Sequence, residues 1–137
     1  MREHLAAVKK PYLDAILDGR KTIELRLARI ARPPFRAIER GDRIWFKMSG
    51  GAVLAQADAG RVEFFDHLTP EIIKDLRSEY DRSIRGADAY WQTHLNCRCA
   101  TLIWLENVRA VDPFMPEVTL RTPWLVLNKR LLPADDQ

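Results

Sequence analysis

The stretch LDGRKTIELRL, residues 17–27, contains the point at which the sequence changes from helical to extended periodicity. Upstream of it, apolar residues at helical spacing predict a short helix, and Gly19 supplies its stop. Downstream, apolar and polar residues alternate over residues 22–27, which predicts a strand. Because every second residue of a strand faces the same side, Glu24 and Arg26 share one face.

The rest of the chain is dominated by strand patterns. Further strands are predicted at residues 4–9, 43–48, 53–65, 101–111 and 124–127. A bulge is expected near Gly60 in the longer strand of the middle region, and Pro113 is expected to end the strand before it. These elements favour an α+β fold built on a small, mostly antiparallel barrel or a strongly curled sheet of five to six strands.

Two helical segments follow the strand at residues 53–65. Thr69 and Pro70 have the residue types of an N-cap and a first helical residue. The apolar spacing after them predicts a buried stripe made of Ile72, Ile73, Leu76 and Tyr80. A second short helix is expected after Gly86, and its aromatic side chains Tyr90 and Trp91 are suited to line a cleft.

The composition is that of an ordinary globular protein. Hydrophobic residues make up 47% and charged residues 30% of the sequence, which argues against disorder. No apolar run is long enough to cross a bilayer, so no membrane association is expected. We predict a single domain over residues 1–137, located in the cytoplasm because MREHLAAVKK lacks the apolar stretch of a secretory signal.

Positive charge is concentrated near the beginning of the chain. Residues 1–50 carry twelve Lys or Arg against six Asp or Glu, whereas the whole chain has a formal net charge of only +3. Arginine is the commoner basic residue, and its planar fork suits phosphates and base edges. A run of arginines could extend a phosphate-binding surface or could form a solvated loop: Arg29, Arg32, Arg36, Arg40 and Arg43.

Gly19, Lys21, Glu24 and Arg26 fit the pattern G-x-K-x-x-E-x-R. This pattern resembles the signature of the ASCH family, a branch of the PUA-like superfamily, and the order of elements over residues 3–128 is also similar. The resemblance implies a PUA-like β-barrel of five to six mostly antiparallel strands with inserted helices. It also implies a cleft beside the first helix that binds RNA or a nucleotide-like ligand.

The predicted site is centred on this motif. Gly19 lets the chain turn sharply and place Lys21 at the mouth of the strand. Lys21 and Arg26 would contact an anion, and Glu24 would accept from an amino group of a base or hold the basic pair. The complete set of predicted ligand-binding residues is Gly19, Arg20, Lys21, Glu24, Arg26, Tyr90 and Trp91.

Two alternatives to ligand binding involve the same residues. Some members of the family are amidohydrolases that deacylate an acetylated cytidine nucleoside and others resemble ribonucleases, so Lys21 and Glu24 are also candidate catalytic residues. The amidohydrolases carry a nucleophilic Thr in place of Glu24, and Glu79 is the nearest candidate for their second carboxylate. In the other alternative, Glu24 and Arg26 are only an ion pair on a strand of a protein that binds another protein.

His94, Cys97 and Cys99 form a group with metal-ligand character. Imidazole and thiolates are ligands that zinc prefers, but a fourth ligand at a usual spacing is missing. Small buried thiols are common, and in a chain without an export signal we expect these cysteines to be reduced. We therefore expect neither a metal nor a cofactor.

Overall fold

The computed structural model describes residues 1–131 of the chain. This part contains six strands and three helices. The last six residues of the predicted domain, 132–137, lie outside this part. The strands are β1 (Glu3–Val8), β2 (Ile23–Ala28), β3 (Arg43–Met48), β4 (Val53–Phe65), β5 (Cys99–Phe114) and β6 (Trp124–Leu127). The helices are α1 (Lys10–Leu17), α2 (Pro70–Ile84) and α3 (Asp88–Thr93).

All six strands belong to one mixed sheet, in the order β2-β5-β4-β3-β1-β6. The pairing of β1 with β3 is parallel, and the other four pairings are antiparallel. Strands β2 and β6 are therefore the two edges, and the sheet curls into a half-barrel. The predicted α+β architecture, a curled sheet of mostly antiparallel strands with inserted helices, is confirmed.

Two large hydrophobic clusters lie on opposite faces of the sheet. In β5, Ile103 belongs to the cluster that includes the apolar face of α1, while its neighbour Leu102 belongs to the cluster beneath α2 and α3. This division follows from strand alternation, which sends adjacent side chains to opposite faces. The apolar face of β2 lies in the second cluster, so the face that carries Glu24 and Arg26 points the other way.

The predicted bulge near Gly60 is confirmed, and a side chain of the neighbouring strand occupies the space beside this glycine. The β4–β5 register shifts between Ala59 and Val62. A Cβ atom on Gly60 would lie only 2.5 Å from Oε1 of Glu106. Glycine therefore fits where a bulged strand meets the side chain of its neighbour.

Two details of the predicted elements are wrong. Strand β5 continues past Pro113 to Phe114, because β2 pairs only with Cys99–Trp104 and leaves this end of β5 with a single neighbour. In α2, Ile72 is 38% exposed. The buried positions of this helix are Ile73, Leu76 and Ile84.

A fully buried histidine joins the two ends of the described chain. Nε2–H of His4 donates to Oδ2 of Asp42 at 2.9 Å, and Nδ1 accepts from the Trp124 indole N–H at 3.0 Å. Asp42 also accepts from the backbone N–H groups of Arg2 and Glu39, both at 3.0 Å. Burial lowers the pKa of His4 from its ordinary value of 6.5, although Asp42 opposes that shift. A neutral imidazole suits this network, because protonation would remove the acceptor for the indole.

The network predicts that acid destabilises the fold. Between pH 6.5 and the lower folded-state pKa of His4, the unfolded chain binds a proton that the native state does not bind. The free energy of unfolding should therefore be highest above pH 6.5 and should decrease as the pH falls below it. Urea unfolding of the parent and of His4→Gln from pH 8 to pH 5.5 measures this effect. The variant should lose most of the slope, and a flat profile in the parent would contradict the prediction.

Candidate functional site

The turn after α1 directs the motif toward the interior of the protein. Gly19 has a φ of +84°, in the left-handed region that favours glycine. The backbone N–H of Lys21 then donates to the carbonyl of Ala15 at 2.9 Å. Arg20 stays exposed, and its Nε donates to Asp18 at 2.7 Å. The turn therefore separates Arg20, on the surface, from Lys21, which enters the fold.

Lys21 is only 4% exposed and its ammonium group is fully engaged. Nζ donates to the carbonyls of Ile23 at 3.0 Å and Ile84 at 2.6 Å, and it lies 3.6 Å from Oε1 of Glu24. Burial lowers the pKa of Lys21, and the carboxylate of Glu24 opposes the shift. The side chain thus connects the start of β2 to the C-terminal end of α2.

Glu24 lies between two cations. While Oε1 faces Lys21, Oε2 lies 3.5 Å from Nη2 of Arg26. The carboxylate is buried, and Oε2 has no hydrogen-bond partner among the described residues. An isolated buried carboxylate would be costly, and the two neighbouring cations offset that cost.

Arg26 connects the two edges of the sheet. From edge strand β2, its Nη2 donates to the carbonyl of Ala7 in β1 at 3.0 Å, and Nη1 donates to the carbonyl of Pro123, just before β6, at 3.4 Å. The guanidinium also lies over the Trp124 ring, 5.0 Å from its centroid. The side chain is 18% exposed, in contrast to Lys21 and Glu24. Among the three charged members of the motif, Arg26 is therefore the one that a ligand can reach with the least rearrangement.

Two neighbouring pockets open beside this edge. The first, here the Arg26 pocket, is lined by Arg26, Leu27, Ala28, Arg32, Pro33, Pro34, Phe35, Cys99, Thr101, Thr122, Pro123 and Trp124. The second, here the Arg29 pocket, is lined by Leu27, Ala28, Arg29, Arg32, Thr93, His94, Asn96 and Cys97. Arginines line both pockets, and no Asp or Glu of residues 1–131 does so. Both are therefore suited to an anionic ligand.

Thr101 adds an unused hydroxyl to the Arg26 pocket. It stands opposite Arg26 in the β2–β5 pairing, and Oγ1 is buried without a hydrogen-bond partner in the described part of the protein. A buried polar atom without a partner is uncommon and calls for an explanation. Nothing in the sequence pattern points to Thr101, because only the β2–β5 register brings this threonine, distant in sequence, next to the motif.

The predicted aromatic residues of α3 do not line either pocket. Trp91 is 2% exposed and its indole N–H donates to Asp81 at 3.0 Å. Tyr90 is half-buried, stacks on His94 with centroids 4.2 Å apart, and donates to the carbonyl of Leu25 at 3.5 Å; burial raises its pKa. Both residues pack the short helix against the second hydrophobic cluster, which corrects the expectation that they line a cleft.

The carboxylate of α2 that acts on Lys21 is Asp81 and not the expected Glu79. Glu79 is exposed on α2. Asp81, two residues later, acts on Lys21 electrostatically. Its negative charge favours a higher pKa for Lys21, but the effect of burial is larger and the pKa is lowered overall. Asp81 also accepts from the backbone N–H of Gly86 at 3.0 Å. Its role in the contacts described is to hold the α2–α3 turn.

The His94, Cys97 and Cys99 group is divided between the two pockets. Cys97 lines the Arg29 pocket, and Cys99 lines the Arg26 pocket with Sγ 3.8 Å from Oδ1 of Asp66. Both thiols are free, and burial raises the pKa of each. Within residues 1–131, no group of three or more His, Cys, Asp or Glu side chains is arranged to hold a metal ion. No helix in this part of the chain is long and apolar enough to span a membrane.

Comparisons with known proteins identify similar chains. A model of the ASCH domain matches residues 7–109. The crystal structure of ASCH from Zymomonas mobilis is 20% identical, with a TM-score of 0.70 over 93% of this chain and 88% of that chain. A single-residue variant of that protein is 19% identical, with a TM-score of 0.72 over 94% and 92%.

A more distant structural match comes from another type of protein. The N-terminal domain of Staphylothermus marinus McrB is 15% identical, with a TM-score of 0.51 over 82% of this chain and 76% of that chain. At these identities, the likeness of the solved structures concerns the fold alone. No curated protein matches the sequence.

The contacts of Arg26 predict that Arg26→Lys destabilises the protein. Lysine keeps the charge, but its single ammonium nitrogen cannot replace the planar guanidinium that reaches two carbonyls and a carboxylate at once. We expect a loss of about 2 kcal/mol in the free energy of unfolding, the range for a charged hydrogen bond that is removed. Urea unfolding measures it, with Arg20→Lys as the control because Arg20 is exposed in the same motif. Equal stability of the two variants would contradict the bridging role.

Proposed function

The chain belongs to the ASCH domain family, and we propose that it binds RNA or a nucleotide-like ligand in the Arg26 pocket. The observation that carries this proposal is the combination of a reachable guanidinium with the unpartnered hydroxyl of Thr101 in one pocket. Guanidinium and hydroxyl groups are the donors that recognise phosphates and base edges. The pocket also offers apolar surface from Phe35 and Trp124, against which a planar base can pack.

In this proposal the motif residues have different roles. Arg26 contacts the ligand through the N–H groups that Ala7 and Pro123 leave unused, because a guanidinium has five donors. Glu24 faces the guanidinium, Lys21 faces Glu24, and neither contacts the ligand. Gly19 sets the turn that places Lys21, and Arg20 contributes only positive charge near the surface.

The alternative hydrolase, either an amidohydrolase on an acylated nucleoside or a ribonuclease, is not favoured by these positions. A general base must approach the proton that it removes to within hydrogen-bond distance, directly or through one water. Lys21 donates to two backbone carbonyls, and neither Lys21 nor Glu24 lines the Arg26 pocket or the Arg29 pocket. Binding is therefore the function that the geometry supports best. We further propose that the chain acts as a single domain in the cytoplasm.

The proposal predicts opposite effects of Thr101→Val on stability and on binding. Valine is nearly isosteric and removes a buried hydroxyl that has no partner, so the free energy of unfolding should stay equal or rise by about 1 kcal/mol. Binding of a fluorescein-labelled single-stranded 12-nucleotide RNA should weaken by about fivefold, the effect of one lost hydrogen bond. Fluorescence anisotropy and urea unfolding measure the two quantities.

Thr22→Val is the matched control for this experiment. Thr22 is exposed and lines neither pocket, so its variant should bind the RNA like the parent. Unchanged affinity in Thr101→Val, or equal losses in both variants, would contradict a ligand contact at Thr101.

A further inference from the structure

The Arg26 pocket and the Arg29 pocket are adjacent parts of one surface. They share the side chain of Arg32 and the wall formed by Leu27 and Ala28 at the end of β2. The Arg26 pocket is lined mainly by apolar residues, while the Arg29 pocket is lined mainly by polar and charged ones. A ligand that fills both must therefore have an apolar or planar part joined directly to an anionic part.

The cations of the Arg29 pocket are available to a ligand. Arg29 and Arg32 are exposed, and neither forms an ion pair with any carboxylate in residues 1–131. Arg36, in the same connection, differs because it lies 3.5 Å from Asp66. Both arginines lie close enough to Cys97, a lining residue of this pocket, to affect its thiol. Burial raises the pKa of that thiol, and the charges of Arg29 and Arg32 oppose the rise.

The backbone on which these arginines lie is hydrogen-bonded to a neighbouring segment at its start and forms a turn after Arg32. The carbonyl of Ala28 accepts from the backbone N–H of Arg98 at 3.0 Å, and the carbonyl of Arg32 accepts from the N–H of Phe35 at 3.0 Å. Across the pocket, the Nδ1 side of His94 is held by the Tyr90 carbonyl at 2.6 Å. With Nδ1–H donating to that carbonyl, Nε2 of the neutral imidazole is an acceptor without a partner among the described residues, suited to a hydroxyl or amino group of a ligand.

We propose that the Arg29 pocket binds a backbone phosphate of a single-stranded RNA whose neighbouring nucleotide occupies the Arg26 pocket. This inference rests on the proposed function and specifies its ligand: a strand or nucleotide rather than a free nucleoside. Arg29 contacts only the phosphate, Arg32 lies between phosphate and nucleotide, and Thr101 contacts only the nucleotide. Arginine forks suit this task because they can bind phosphate oxygens in pairs.

The test compares ligands with and without the phosphate. The affinities of the four common ribonucleosides, their 5′- and 3′-monophosphates and a mixed-sequence tetranucleotide RNA are measured by calorimetry with the full chain. In the parent, one of the two monophosphates should bind at least fivefold more tightly than the nucleoside with the same base. The tetranucleotide should bind at least fivefold more tightly than any of the four nucleosides. Arg29→Gln should remove that gain and leave nucleoside affinity within twofold of the parent. For binding of the RNA by Arg29→Gln, the slope of log affinity against log salt concentration should also be smaller than in the parent by about 0.7, as expected for one lost phosphate contact.

Arg40→Gln is the matched control, because Arg40 is an exposed arginine of the same connection that lines neither pocket. It should retain the gain from the phosphate. The inference is overturned if Arg29→Gln loses no more RNA affinity than Arg40→Gln, or if phosphate adds nothing in the parent.

Thr101→Val separates this failure from a failure of the proposed function. If Thr101→Val weakens all ligands while Arg29→Gln weakens none, the Arg26 pocket is retained and only the phosphate assignment is lost. If the parent binds none of these ligands, both proposals are overturned.

Discussion

The charge cluster of Lys21, Glu24 and Arg26 is the constraint on which this half-barrel depends. Removing a carboxylate from water costs several kcal/mol unless cations and hydrogen bonds compensate it. Here the carboxylate lies within 3.6 Å of an ammonium and 3.5 Å of a guanidinium. Lys21 in turn donates to the carbonyl of Ile84 at the end of α2, and Arg26 donates to the carbonyls of Ala7 and Pro123. The position of β2 is therefore coupled to α2, to β1 and to the segment before β6.

The candidate site is a consequence of how this sheet is held closed. Its edge strands β2 and β6 are not hydrogen-bonded to each other, since β2 pairs only with β5 and β6 only with β1. The side chain of Arg26 spans the separation instead, and the Arg26 pocket lies beside that bridge. A fully paired barrel would have no such opening, because a continuous ladder would leave no space between its strands.

Much of this arrangement could be predicted from local sequence. The switch of periodicity at residues 17–27 located α1, its stop at Gly19 and the face shared by Glu24 and Arg26. Strand alternation cannot show how far side chains lie from solvent, so the burial of Lys21 was not foreseen. The contribution of Thr101 was inaccessible for a different reason, since it depends on a register between strands distant in sequence. For Trp91 the prediction placed a buried residue in a cleft. Its position near a turn suggested exposure, but Asp81 accepts from its indole N–H and the ring lies in the core.

The buried cluster and the exposed arginines would contribute to binding in physically different ways. Arg26 is held by the Ala7 and Pro123 carbonyls before any ligand arrives, so it loses little side-chain entropy on binding. Arg29 and Arg32 are exposed and lose more, but their charges act over about 10 Å at moderate salt. The first kind of contact sets geometry, and the second increases the rate of encounter with a polyanion. A site that holds one guanidinium rigidly beside two exposed ones is therefore suited to position a nucleotide while attracting the strand that carries it.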